Sequence, residues 1–245
     1  MKNNFFASNP LLRKDFIAFL SGCINERRVS QIQKVLESRT RYISVVLEDI
    51  YQSQNASAVL RTCDCLGIQD VHIIEEKNSF NINPQVVIGS SKWLTITKYK
   101  GVSNNSLKAI NSLKSEGYRI VATTPHTKEV RIENFDLSKG KVALFFGTEL
   151  TGLSETVLSN ADEYIAIPMH GFTESYNISV SAAITLYALT TKLRNSEIQY
   201  QLSADERENL LLSWLKATTK NWEMMEKRFL SEKNIETLKN TSHRI

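Results

Sequence analysis

The 245-residue sequence predicts an α/β fold on a mostly parallel sheet, with helical extensions at both termini. Three observations lead there. Short β-branched runs alternate with amphipathic helical stretches through the centre of the chain, the pattern of a sheet covered on both faces. The run Val142–Phe146 is apolar without alternation, as a central parallel strand buried on both faces should be. Both ends, by contrast, carry helical periodicity only.

Taken in order, 10–20 and 26–36 read as two helices ahead of the first strand. Strands are expected at 43–48, 71–75, 119–123, 142–146 and 164–168, with 93–99 a weaker sixth. Helices are expected at 55–66, 106–114, 154–159 and 177–194. The polar stretch 195–203 resembles a linker. Ser203 can then cap a last helix, with Glu206 at the capping-box position. Its apolar stripe runs through Leu211, Trp214, Leu215, Trp222, Met225 and Phe229, among Lys216, Lys220, Lys227, Arg228 and Lys233. The expected organisation is a helical extension over 1–40, a catalytic α/β domain over 41–195 and a second helical extension over 196–245.

Composition narrows the class. No apolar run approaches the roughly 18 residues of a membrane helix, and the start has no continuous signal-peptide core. The expectation is a cytoplasmic protein. Cysteines 23, 63 and 65 have neither metal-type CxxC spacing nor a natural disulfide partner, and are expected to be reduced and at least partly buried. No metal site is expected. Residues 1–42 carry eight Lys/Arg against three Asp/Glu, net +5; residues 216–245 carry seven against four, net +3. The centre between them is net −4. Basic ends around an acidic centre suit terminal segments that meet a polyanion, although solvated helix faces account for the charge equally simply.

Chemistry is expected in three places. Asn55 opens a helix after the first strand, where asparagine is an ordinary N-cap. Arg61 follows six residues on among small and apolar neighbours, placed to grip a phosphate with a planar fork of donors. The second place is Phe146-Gly147-Thr-Glu149-Leu-Thr-Gly152-Leu-Ser154, where two glycines flank a turn after a buried strand. Its Gly-x4-Gly spacing is neither GxGxxG nor a P-loop, and Glu149 is either a turn acid or an anchor for a cationic partner. The third place, 167–183, runs through Pro168, His170 and Gly171. In it Ser175 or Asn177 can cap a long helix kept thin by Ser179, Ser181, Ala182 and Ala183.

Together, N-x-x-A-x-x-R at 55–61, F-G-x-E-x-x-G-L at 146–153 and I-P-M-x-G-x-x-E-S-x-N-x-S-V-x-A at 167–182 resemble the three motifs of the SpoU/TrmH (SPOUT) family of RNA 2′-O-ribose methyltransferases. Within the family the chain is most similar to the tRNA (guanosine-18) 2′-O-methyltransferases, which carry helices at both ends. The resemblance implies a carboxyl-terminal trefoil knot, a homodimer, tRNA as substrate without DNA or membrane, and S-adenosyl-L-methionine as cofactor. It implies that the cofactor is held mainly by main-chain groups at Thr123, Gly147, Ile167 and Tyr176, although the family usually has leucine where Tyr176 stands. It makes Arg61 the catalytic arginine, with Asn55, Glu149, Ser175 and Asn177 around it. Three alternatives stand beside it: the same chemistry on ribosomal RNA, a non-catalytic knotted RNA-binding protein, and a nicotinamide oxidoreductase. The last is disfavoured by the missing GxGxxG.

Overall fold

The computed structural model describes residues 6–80, 83–87, 89–101, 103–124 and 130–233. They divide into two compact units: Arg39–Gln201, and the two chain ends up to Ser38 and from Leu202.

The Arg39–Gln201 unit is built on seven strands: β1 Ile43–Glu48, β2 Asp70–Ile74, β3 Thr95–Tyr99, β4 Arg119–Thr123, β5 Val130–Arg131, β6 Val142–Phe146 and β7 Glu163–Ala166. Their order is β3-β2-β1-β6-β4-β7-β5, and every pairing is parallel. β1 and β6 lie side by side at the centre and are buried along their whole length, the environment that a continuous apolar run requires. Edge strand β3 keeps exposed positions. β5 is too short to carry an alternation and is not visible in the sequence.

Among the described residues the helices are, in chain order, α1 Pro10–Gly22, α2 Glu26–Glu37, α3 Ser53–Leu66, α4 Pro84–Val87, α5 Asn105–Ser115, α6 Glu155–Asn160, α7 Ile178–Arg194, α8 Ala204–Thr218 and α9 Trp222–Glu232, and of these α3, α5, α6 and α7 cover the two faces of the sheet. On one face, Val45 and Leu47 of β1 pack with Val59, Leu60 and Cys63 of α3 and with Ala182, Leu186 and Leu189 of α7. On the other face Val46 packs with Ala109 and Leu113 of α5 and Val157 of α6. The period-2 alternation of the strand divides these two cores.

Because the central strands β1, β6, β4 and β7 are adjacent and parallel, the segments leaving their carboxyl ends emerge along one sheet edge. These are 49–52, 147–153, Thr124 and 167–177. In open parallel sheets this edge is where ligands bind.

Two expectations are corrected here. The stretch 195–203 is no free linker: Ile198 and Tyr200 are half-buried against the core, and the Thr40 hydroxyl donates to the Tyr200 carbonyl at 2.6 Å. The thiols also differ from expectation, since Cys63 is buried but Cys23 and Cys65 are exposed.

The second unit holds α1, α2, α8 and α9. Arg13 is 1% exposed on α1 and reaches Asp205 at 2.5 Å, Glu208 at 3.0 Å and Asn209 at 2.9 Å on α8. Phe16 stacks on Phe6 and tilts against Phe229 at centroid distances of 4.9 and 5.0 Å. Ser203 and Glu206 form the capping box of α8. The single helix expected after Ser203 is two, broken between Thr218 and Trp222. There the Thr218 and Thr219 hydroxyls turn back onto the Trp214 and Leu215 carbonyls, and Asn221 takes φ +55°.

Candidate active site

The sheet edge gathers residues from all three sequence motifs. Asn55 is not the N-cap of α3: Gln52 holds that position, and Asn55 is the third helical residue. Its amide is thereby free to reach across, and Nδ2 donates to Glu149 Oε1 at 2.6 Å. Asn177 Nδ2 donates to the same oxygen at 2.8 Å and to Asn55 Oδ1 at 3.3 Å. Asn177 is also the N-cap of α7, its Oδ1 accepting from the Ser179 N–H at 2.9 Å and the Ser179 hydroxyl at 2.5 Å. One amide thus caps a 17-residue helix and orients a carboxylate.

Glu149 rides on a tight loop. Thr148 and Gly152 exchange main-chain hydrogen bonds at 2.9 and 3.0 Å, and Gly152 takes φ +67°. A Cβ on Gly147 would lie 2.2 Å from the Gly152 carbonyl, so glycine is required there for the loop to close on itself.

Beside the trio lies a cleft of about 80 Å³ at the ends of β4 and β7. Thr123, Ile167, Ser175 and Tyr176 line it, together with Thr124, Met169, Ser181 and Thr185. Ser175 therefore belongs to the cleft, and neither it nor Tyr176 caps α7. From Ile167 to Asn177 the chain forms no helix, strand or hydrogen-bonded turn, leaving main-chain donors and acceptors open to a ligand. Sequence reasoning missed Ser181 and Thr185 as lining residues. Their four-residue spacing on α7 is the available sign; Ser181 enters the sequence reading only as a small residue of a thin helix, and Thr185 does not enter it.

Arg61 stands apart. Six residues past Asn55 on a straight helix is roughly 9 Å along the axis and about 120° around it. The side chain is exposed, and among the described residues it has no hydrogen bond or ion pair. It lies in a groove of about 430 Å³ with Ala58, Thr62, Cys65 and Leu66 of α3, Val86 of α4, and Ala183 and Tyr187 of α7. Within one chain the structure brings Asn55, Glu149 and Asn177 together and leaves Arg61 on a neighbouring surface.

Among the described residues no cluster of His, Cys, Asp and Glu could hold a metal ion. Burial pushes the Cys63 thiol up, so it stays protonated and supplies no nucleophile. No helix of the described residues is long and apolar enough to cross a membrane.

Comparison with known proteins bears on this edge directly. The sequence model of the SpoU rRNA Methylase family matches residues 42–187. A protein named tRNA (guanosine(18)-2′-O)-methyltransferase, from Borreliella burgdorferi, is 50% identical over 210 residues, 86% of this chain and 94% of that one. The crystal structure of the TrmH/SpoU tRNA modifying enzyme of A. aeolicus superposes with a TM-score of 0.70 at 28% identity, covering 79% of this chain and 98% of that one. The SpoU methyltransferase AviRb from Streptomyces viridochromogenes, solved with the cofactor AdoMet, shares the fold at a TM-score of 0.56 and 20% identity, over 66% of this chain and 65% of its own.

Proposed function

The chain belongs to the SpoU rRNA Methylase family, and from that premise we propose that it methylates the ribose 2′-hydroxyl of guanosine 18 in tRNA, using S-adenosyl-L-methionine. The observation that carries the reading is the convergence of Asn55, Glu149 and Asn177, one residue from each motif, on one sheet edge within 3.3 Å. The choice of tRNA over ribosomal RNA draws on the 50%-identical relative, which this chain matches over 94% of its length.

The cleft fits the cofactor in chemistry. Among the described residues its lining offers hydroxyls, main chain and apolar surface with no charged side chain, suited to an adenine ring. Thr123, Gly147, Ile167 and Tyr176 would hold the group through main-chain atoms, for which the tyrosine side chain is no obstacle. When bound, it supplies a methyl group on a sulfonium sulfur as the electrophile for a ribose oxygen.

The protein's own residues align and discharge that oxygen. Glu149, fixed through Oε1 by two amides, is the carboxylate at hand to take the hydroxyl proton. Arg61 cannot be that base, because a guanidinium stays protonated in proteins. Its planar fork suits the neighbouring phosphate and steadies charge developing on the oxygen.

Arg61 reaches the cleft across a homodimer interface. Supporting this, α7 exposes Val180, Ile184 and Tyr187 along one stripe beside the Arg61 groove, an apolar face suited to a second copy. The terminal helices form an RNA-binding unit, for which exposed Arg27, Lys34, Lys220 and Lys227 supply phosphate contacts. The carboxyl-terminal part of the sheet domain threads a trefoil knot; family membership and the insertion of β6 between β1 and β4 support that topology. The site of action is the cytoplasm, where tRNA of this kind is processed.

Incubation of the full chain with tritiated S-adenosylmethionine and unmodified tRNA or ribosomal RNA, followed by nucleoside mapping, tests the reading. Label as 2′-O-methylguanosine in the tRNA D-loop is expected. Label in ribosomal RNA alone would move the substrate, and label in neither would remove the enzyme.

A further inference from the structure

Glu48, the last residue of β1, is a carboxylate in a position where the strand alternation calls for an apolar side chain. Val46, two residues earlier on the same face, packs into the α5/α6 core, and Glu48 is 3% exposed. Burying a carboxylate with no cation beside it is costly unless donors satisfy it. Here they are all neutral. The Ser154 N–H donates to Oε2 at 2.8 Å, the Ser154 hydroxyl to Oε1 at 2.6 Å, and the Ser106 hydroxyl to Oε1 as well.

Ser154 is the exit of the loop that carries Glu149, and the entry of that loop is held by the same strand. Phe146, its last fixed residue before Gly147, pairs with Leu47. The final two residues of β1 therefore grip both ends of 147–153, and β1 leads on into the helix bearing Asn55. Ser154 also accepts from the Val157 N–H at 3.3 Å, so its hydroxyl joins the N-cap of α6 to Glu48.

We propose that Glu48 is a positioning residue for methyl transfer, acting through Ser154 to fix the loop that presents Glu149 to Asn55 and Asn177. The proposal rests on the methyltransferase reading for its kinetic consequence but not for its structural one. Losing the hydrogen bonds at Ser154 leaves the loop exit held by the burial of Leu153 and Val157 alone, so the carboxylate is held less often where both amides reach it. Such misplacement lowers turnover more than binding.

Three variants of the full chain separate positioning from general stability. Ser154→Ala removes the hydroxyl bond to Oε1 but leaves the main-chain N–H on Oε2, and Glu48→Gln turns one of the two acceptor oxygens into a donor, so both loosen the grip on the loop, whereas Ser106→Ala removes a hydrogen bond from the same carboxylate on the α5 side. The first two are expected to lower kcat on tRNA by roughly tenfold or more while KM for tRNA stays within about twofold. Amide exchange at 148–153 should quicken in both. Ser106→Ala should lower the thermal midpoint comparably to Ser154→Ala yet keep kcat within about twofold. If Glu48→Gln does not fold, Ser154→Ala against Ser106→Ala decides. Losses of kcat that follow the thermal midpoint across all three, or unchanged exchange at 148–153 in Ser154→Ala, would overturn the proposal. Wild-type protein inactive on every RNA would remove the methyltransferase reading instead, with the exchange result still deciding what Glu48 holds.

Discussion

Glu149 shows how much of the site depends on single atoms. Both Asn55 and Asn177 donate to Oε1, which requires an acceptor there. Glu149→Gln keeps the shape, but only one of the amide's two ends accepts and no base remains. The expected outcome is a loss of about 10²–10³ in kcat, with binding of S-adenosylhomocysteine by calorimetry unchanged within a few-fold. Near-normal turnover would exclude Glu149 as proton acceptor. Arg61 is tested by Arg61→Lys, which keeps a positive charge and loses the fork. Activity should fall about tenfold or more, whereas near-normal activity would sink both bidentate phosphate binding and any guanidine base. The trio was legible only as a set, through the resemblance of the three motifs to one family; spacing by itself left Asn55 an N-cap, Glu149 a turn acid and Asn177 a possible cap. What spacing could not give was the roles within it. Asn55 caps nothing, Asn177 caps and orients at once, and Gly147 is glycine because its own loop returns within 2.2 Å of where a Cβ would stand.

At the scale of elements, α7 carries two faces of different character. Inward, Ala182, Leu186 and Leu189 fill the core; outward, Val180, Ile184 and Tyr187 remain exposed. An exposed apolar stripe on a helix that is already packed on its other face is suited to a partner. Ile184→Asp together with Tyr187→Asp should convert a dimer into a monomer in analytical ultracentrifugation and abolish turnover, since Arg61 would have no second cleft to enter. A wild-type chain that sediments as a monomer at micromolar concentration would refute this arrangement. Long elements with clear periodicity were readable beforehand within a residue or two. The failures share a cause: β5 has two residues and α4 has four, too few to show a period. The break between α8 and α9 rests on an Asn221 conformation that apolar spacing does not encode.

At the scale of the whole molecule the sheet unit holds the trio and the cleft, while the chain ends form the helical unit, which carries 14 Lys/Arg against 10 Asp/Glu. Deleting everything from Leu202 is a poor test of RNA binding, because it removes Asp205, Glu208 and Asn209 and strands Arg13 in the interior of what is left. A buried charge without partners costs several kcal/mol, so the deletion would unfold α1 and α2 along with removing lysines. Charge reversal at exposed positions avoids that confusion. Lys34→Glu and Lys227→Glu, singly and combined, should weaken tRNA binding and lower the slope of log affinity against log salt by about one for each phosphate no longer neutralised. Cofactor binding should not change, because neither residue belongs to the sheet unit. Filter binding across a salt series measures the slope and calorimetry the cofactor. If both variants bind tRNA with wild-type slope, these charges are solvated helix surface, and tRNA recognition has to be sought in the sheet unit alone.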